Sequence, residues 1–143
     1  MLIVLIEDDP VQAELMENSI KSKLGAETWR IPTESDFDVK FEDIATKAPV
    51  AIVIDIMLRW TDPAEEMPPT PVDYDKTDGY RRAGLRCRKR LSEDQRTQSI
   101  PVIIYTVLRR EPLGEGIPEC QYLQKGDGLE HLLERLQQIV LRQ

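Results

Sequence analysis

Three short runs along the chain are almost wholly apolar: Leu2–Ile6 (LIVLI), Val50–Ile54 (VAIVI) and Pro101–Tyr105 (PVIIY). They are rich in Val and Ile and continuous rather than alternating, the pattern of parallel strands buried on both faces. Two weaker runs, Ala26–Ile31 and Cys120–Gln124, predict further strands. Between the runs, apolar residues recur at helical spacing. Val11, Leu15, Ile20 and Leu24, with Met16, form the first stripe; Pro10 suits its first turn and Gly25 its end. Phe37, Phe41, Ile44 and Ala45 predict a second helix before Pro49, and Tyr80, Gly84, Cys87 and Leu91 a third. Leu129, Leu132, Leu133, Leu136, Ile139 and Val140 predict the last. Strands alternating with helices imply an α/β fold built on a doubly wound parallel sheet. A length of 143 residues suits one domain over 1–143.

Two stretches break this rhythm. Arg59–Gly79 holds Pro63, Pro68, Pro69, Pro71 and six acids, so it forms neither a regular helix nor a central strand. Loops this long are uncommon in compact domains and are often functional. In Val107–Pro118 a helix should link the last two strands, but Pro112, Gly114, Gly116 and Pro118 oppose it. The third helix carries Arg81, Arg82, Arg86, Arg88, Lys89 and Arg90 on its outer face, read as a solvated surface that balances the acidic loop.

Composition narrows the function. Hydrophobic residues make up 41% and charged residues 31%, as in soluble globular chains. A net charge of −7, from 19 basic and 26 acidic residues, argues against general nucleic-acid binding, which needs a cationic footprint. Cys87 and Cys120 lack metal-type spacing, and a reducing, cytoplasmic setting is expected. The N-terminal MLIVLIEDD lacks the basic region and cleavage site of a signal peptide. No run approaches the roughly 20 apolar residues of a membrane span.

Asp55 is the one polar residue between Val50 and Leu58. An isolated buried charge is expensive, so its place in the fold matters. Open α/β sheets bind ligands at the carboxyl ends of their strands. There the first strand ends in Glu7, Asp8 and Asp9, the third in Asp55, the fourth in Thr106 and the weak fifth in Lys125. Two like charges about 4 Å apart repel by roughly 4 kcal/mol at an effective dielectric near 20. A hard divalent cation such as Mg²⁺, which takes carboxylate oxygens and keeps several waters, relieves that repulsion. A carboxylate beside Mg²⁺ can also act as a nucleophile toward phosphorus, with Thr106 and Lys125 contacting the phosphoryl oxygens.

Four segments in order, LIVLIEDDP, VAIVIDIML, IPVIIYT and YLQKG, resemble the receiver domain of two-component response regulators along nearly the whole chain. The resemblance implies a five-stranded, flavodoxin-like (βα)₅ fold with strand order 2-1-3-4-5. It makes Asp55 the phosphoacceptor. Asp8, Asp55 and the Met57 backbone carbonyl become Mg²⁺ ligands, with Glu7 acting through water and Asp9 a bystander. Thr106 becomes the switch hydroxyl, Lys125 the phosphate partner and Tyr122 the switch aromatic. The implied partners are a sensor histidine kinase or phosphotransfer protein as donor, and a downstream protein or effector domain as reader. A second copy of the chain is a further candidate through the last helices; no nucleic acid or membrane is expected. The chain would be a signalling domain whose chemistry is confined to its own acylphosphate.

The sequence departs from the family in several places. Arg59 stands where proline is usual, Gly126 replaces the proline after Lys125, and Val107 replaces a small residue after Thr106. The family's Asp-Gly corresponds either to Asp78-Gly79 or, for its glycine, to Gly84. These changes keep open a phosphorylation-independent receiver-like interaction module. A Mg²⁺-dependent phosphohydrolase is a weaker alternative, because Met57 occupies the place of its second acid. The 59–79 loop is expected to overhang the Asp55 pocket.

Overall fold

A computed structural model of the chain describes residues 1–63, 67–110, 117–118 and 121–142. Its elements run β1 (Leu2–Ile6), α1 (Pro10–Leu24), β2 (Glu27–Ile31), α2 (Glu34–Lys47), β3 (Ala51–Ile54), α3 (Ala83–Glu93), β4 (Val102–Thr106), β5 (Tyr122–Gln124) and α4 (Leu129–Leu141). All five strands are parallel, in the order β2-β1-β3-β4-β5. The doubly wound sheet and its strand order are those expected.

Successive strand residues face opposite sides, and each side has its own core. Val4, Ile6, Ile52, Ile54 and Ile104 pack with Phe37, Phe41 and Ile44 of α2 and Leu85, Cys87 and Leu91 of α3. Ile3, Leu5, Ala51, Val53 and Ile103 pack with Met16 and Ile20 of α1 and Leu132, Leu133 and Leu136 of α4. Fully burying one such aliphatic side chain is worth roughly 1.5–3 kcal/mol. That two-sided burial explains why β1 and β3 read as unbroken apolar runs.

The first helix corrects the predicted stripe. Its buried residues are Ala13, Met16 and Ile20, whereas Val11 and Leu15 are 64% and 52% exposed. Asp9 is the N-cap, its carboxylate accepting from the Val11 N–H at 2.9 Å, and this cap sets the phase that turns Val11 outward. Gly25, at φ 63°, closes the helix in the left-handed conformation and donates its N–H to the Lys21 carbonyl. Cys120, placed in the last strand by the sequence, lies outside the described residues, and β5 begins at Tyr122. Residues 111–116 of the 107–118 link also lie outside them; 107–110 and 117–118 hold no helix.

Two further readings are corrected by tertiary pairing. The described loop residues do not gather over Asp55. The Glu34 and Ser35 amides, unpaired within α2 at its first turn, donate to the carbonyls of Arg59 (2.9 Å) and Trp60 (2.8 Å). The Trp60 indole donates to the Pro68 carbonyl at 2.9 Å and meets the Tyr74 ring edge-on at 5.9 Å. The described loop residues therefore dock along α2 and α3, and among them Arg59 is the one that reaches the acids. Part of the basic face of α3 turns toward α2, while Arg81 and Lys89 stay exposed. Arg86 grips Glu34 through two 2.7 Å bonds, Arg90 reaches Asp38 at 2.7 Å, and Arg96 pairs with Glu42 at 2.5 Å. The three acids are four residues apart on one face of α2, so the pairs form a ladder between the helices. Toward the loop, Arg82 lies 3.9 Å from Asp78, and Arg86 also donates to the Gly79 carbonyl at 2.5 Å and stacks over the Tyr74 ring at 5.0 Å.

Candidate functional site

The strand ends bring the predicted acids together. The sheet's hydrogen bonding continues one step past β3, where the Asp55 N–H donates to the Ile6 carbonyl at 3.0 Å. Asp55 thus stands beside the exit of β1, where Glu7 and Asp8 follow. Each of Glu7, Asp8 and Asp55 offers a carboxylate oxygen, and these atoms all lie within 4.8 Å of one another. Glu7, Asp55 and Thr106 are buried, at 1%, 7% and 0% exposure.

Lys125, just past β5, enters this cluster from the other side. Its Nζ donates to Glu7 Oε1 in a very close contact and to Asp55 Oδ2 at 2.9 Å. One ammonium thus serves two buried carboxylates. Burial pushes the Glu7 carboxyl up to about 7 and the Asp55 charge adds to this, while Lys125 partly offsets them. Burial opposes the charge on Lys125, but Asp55 and Glu7 outweigh it and raise its pKa.

Asp8 has a different counter-cation. Burial raises its pKa, and Arg59 works against that rise. The Arg59 backbone N–H donates to Asp8 Oδ2 at 3.1 Å, its Nε lies 3.6 Å from the same oxygen, and its Nη2 donates to the Asp8 carbonyl at 3.0 Å. Sequence reasoning assigned no role to Arg59, although its departure from the usual proline was the available signal.

Gly84 fixes the far wall. A Cβ there would lie 2.0 Å from the Asp55 carbonyl oxygen and 2.7 Å from the Ile56 Cα. Its N–H donates to the Ile56 carbonyl at 2.7 Å. Of the two glycines weighed from the sequence, Gly84 is therefore the one against the acid strand. Gly79 instead lies under the Tyr74 ring, at φ 45°.

Thr106 and Tyr122 meet through a residue that no sequence signal marks. Thr106 Oγ1 accepts from the Leu108 N–H at 3.4 Å, and the Tyr122 hydroxyl donates to the Leu108 carbonyl in a very close contact. Gln124 Nε2 donates to the same carbonyl at 3.3 Å. Tyr122 is buried at 8% exposure. Met57 lies half-buried two residues past Asp55.

A hard divalent cation fits this edge on two observations. The donor set is three clustered carboxylates, the oxygen chemistry Mg²⁺ takes. Asp55 Oδ1 is buried and has no hydrogen-bond partner, an arrangement that costs about 1–3 kcal/mol unless a ligand satisfies it.

No family model matches the sequence, and no curated protein matches it. Solved structures do. The receiver domain of a Francisella response regulator superposes with a TM-score of 0.68 at 20% identity, over 99% of this chain and 97% of that one. A signal receiver domain of two-component signal transduction from Clostridium thermocellum gives 0.70 at 16% identity, over 96% and 95%. The non-phosphorylated HemR receiver domain of Leptospira biflexa gives 0.66 at 18% identity, over 97% and 93%. At such identities the likeness speaks for the backbone alone, and on that basis this chain has the response-regulator receiver fold.

Proposed function

We propose that the chain is a phosphoacceptor receiver domain, in which Asp55 takes a phosphoryl group from a phosphohistidine on a sensor histidine kinase or phosphotransfer protein. The observation that carries this reading is the asymmetry of Asp55: Oδ2 is held by Lys125 at 2.9 Å, while Oδ1 is buried without a partner. A carboxylate oriented by one charged partner is a positioned nucleophile toward phosphorus, with its second oxygen left for the cation. One Asp55 carboxylate oxygen supplies the electron pair for the new O–P bond as the donor's P–N bond breaks. The departing imidazole keeps that bond's electrons and takes up a proton from solvent. Lys125 stays beside Asp55 to offset the phosphoryl charge.

Asp8, Asp55 and the Met57 carbonyl would hold Mg²⁺, with Glu7 acting through water. Bound there, the ion would offset negative charge on the phosphoryl oxygens. Thr106 then exchanges its contact with the Leu108 N–H for one with a phosphoryl oxygen. Because Tyr122 holds the Leu108 carbonyl, this exchange biases the β4–β5 surface, a two-state element for a downstream protein or effector domain to read. Val11 and Leu15, exposed on α1 just past the acids, offer the donor protein an apolar contact.

Incubation with Mg²⁺ and a small acyl-phosphate donor, followed by intact-mass measurement, tests the proposal. A phosphate-sized gain that disappears in Asp55→Asn is expected. No gain with any donor, together with no Mg²⁺ binding, favours the second reading, a phosphorylation-independent interaction module. The hold of Arg59 on Asp8 is the observation on its side.

A further inference from the structure

We propose that the Arg59 side chain is a tethered cation that competes with the divalent ion for Asp8, and that Asp62 is the carboxylate that retains it when the metal loads. This inference rests on the phosphoacceptor reading of the site and concerns what controls its metal occupancy. Arg59 Nε lies 3.6 Å from Asp8 Oδ2, and Nη2 lies 3.0 Å from the Asp8 carbonyl oxygen and 3.2 Å from Asp62 Oδ1. The guanidinium therefore already spans two carboxylates, one in the acid cluster and one outside it.

A guanidinium does not give up its proton in proteins, so it yields to a second cation only by moving. A divalent ion on Asp8 would face a full positive charge at contact range, and repulsion at that distance is substantial even in a partly solvated site. The geometry permits the movement. The Arg59 side chain is 45% exposed and that of Asp62 57%, against 17% for Asp8. Letting go of Asp8 while keeping Asp62 swings the charge outward. The backbone N–H of Arg59 stays on Asp8 Oδ2 in either position, so the carboxylate remains oriented while its counter-cation changes.

The same exposure limits the strength of the competition. Ion pairs this open to solvent contribute about 0–1 kcal/mol, which corresponds to roughly a fivefold change in affinity at most. Arg59 thus tunes metal loading and does not block it. Its contribution should fade as salt screens the pair.

Calorimetric titration of the full chain with Mg²⁺, at low and at high ionic strength, tests the proposal. Arg59→Ala and Arg59→Gln, the second of which keeps most of the side chain's length without its charge, are expected to bind Mg²⁺ about three- to fivefold tighter than wild type at low salt. Arg59→Lys should stay near wild type. Asp62→Asn, which removes the outer partner, should bind about twofold weaker, and high salt should narrow every difference. Measurable wild-type binding with Arg59→Gln no tighter would overturn the role of Arg59 and leave the phosphoacceptor reading standing. No Mg²⁺ binding in either wild type or Arg59→Gln would overturn both.

Discussion

Replacing Gly84 by alanine sets two physical effects against each other. Gly84 lies within α3, where alanine is preferred to glycine by about 1 kcal/mol on helix propensity alone. Packing predicts the opposite sign. The added Cβ would stand 2.0 Å from the Asp55 carbonyl oxygen, 2.8 Å from its carbon and 2.7 Å from the Ile56 Cα. All three are backbone atoms at the buried exit of β3, so no flexible side chain can yield. To clear them α3 must lift, which strains the 2.7 Å bond from the Gly84 amide to the Ile56 carbonyl. Overpacking of this kind costs typically 1–3 kcal/mol and occasionally more; a clash with rigid backbone belongs at the upper end. After the propensity gain, the net loss is about 2 kcal/mol, a large share of the 5–15 kcal/mol typical of a domain. For a urea m-value of about 2 kcal/mol/M, the midpoint should fall by about 1 M. Gly126→Ala is the control, because nothing lies within 4 Å of a Cβ there. Equilibrium urea unfolding followed by circular dichroism reads both variants. A Gly84→Ala protein as stable as wild type, or more stable, would refute the packing argument and the close approach on which it rests.

Arg86→Ala should destabilise by about 3 kcal/mol, because it strands Glu34, which is 5% exposed, without its two hydrogen bonds. Arg86→Lys should recover little, since an ammonium cannot reproduce the planar fork; a loss under 0.5 kcal/mol in thermal or urea unfolding would contradict the ladder between α2 and α3 (roughly the scatter of neutral surface substitutions). In chelator-treated protein, the Glu7 carboxyl, raised from 4.5 to about 7, makes the folded state bind more protons than the unfolded state between those values. Its contribution to stability is therefore fully present below pH 4.5 and is lost as pH rises through about 7, by at most about 3 kcal/mol. Glu7→Gln should flatten that slope in stability measured against pH, and an unchanged slope would assign it to other groups.

The parts of the fold most legible in the sequence were those set by local pattern. Continuous Val and Ile runs gave β1, β3 and β4 because a strand buried on both faces leaves no room for alternation. The acids Glu7, Asp8 and Asp55 could be placed together because each directly follows such a run. What stayed hidden depends on contacts between residues far apart in sequence. The phase of α1 follows the Asp9 cap, and Ala13, too small to stand out in an apolar stripe, takes the core position that Val11 seemed to claim. The arginines of α3 looked solvated because their partners on α2 lie 52 residues away. Leu108 joins Thr106 to Tyr122 through its backbone N–H and carbonyl, and a backbone contact leaves no mark on residue type. Arg59 was visible as a departure from the family, but its hold on Asp8 depends on how the chain turns after β3.

The hydrogen bond from Gly84 back to Ile56 also bears on how this chain tolerates its own length. It closes a loop, and everything between its two ends is arc. The entropy of closing an arc grows only with the logarithm of its length, about 0.6 kcal/mol for each doubling. Because the sheet exit and the start of α3 are clasped directly to each other, the segment between them can lengthen or shorten without moving the acid edge. The same clasp lets the docking contacts of that segment change from one sequence to another while the acid edge stays fixed.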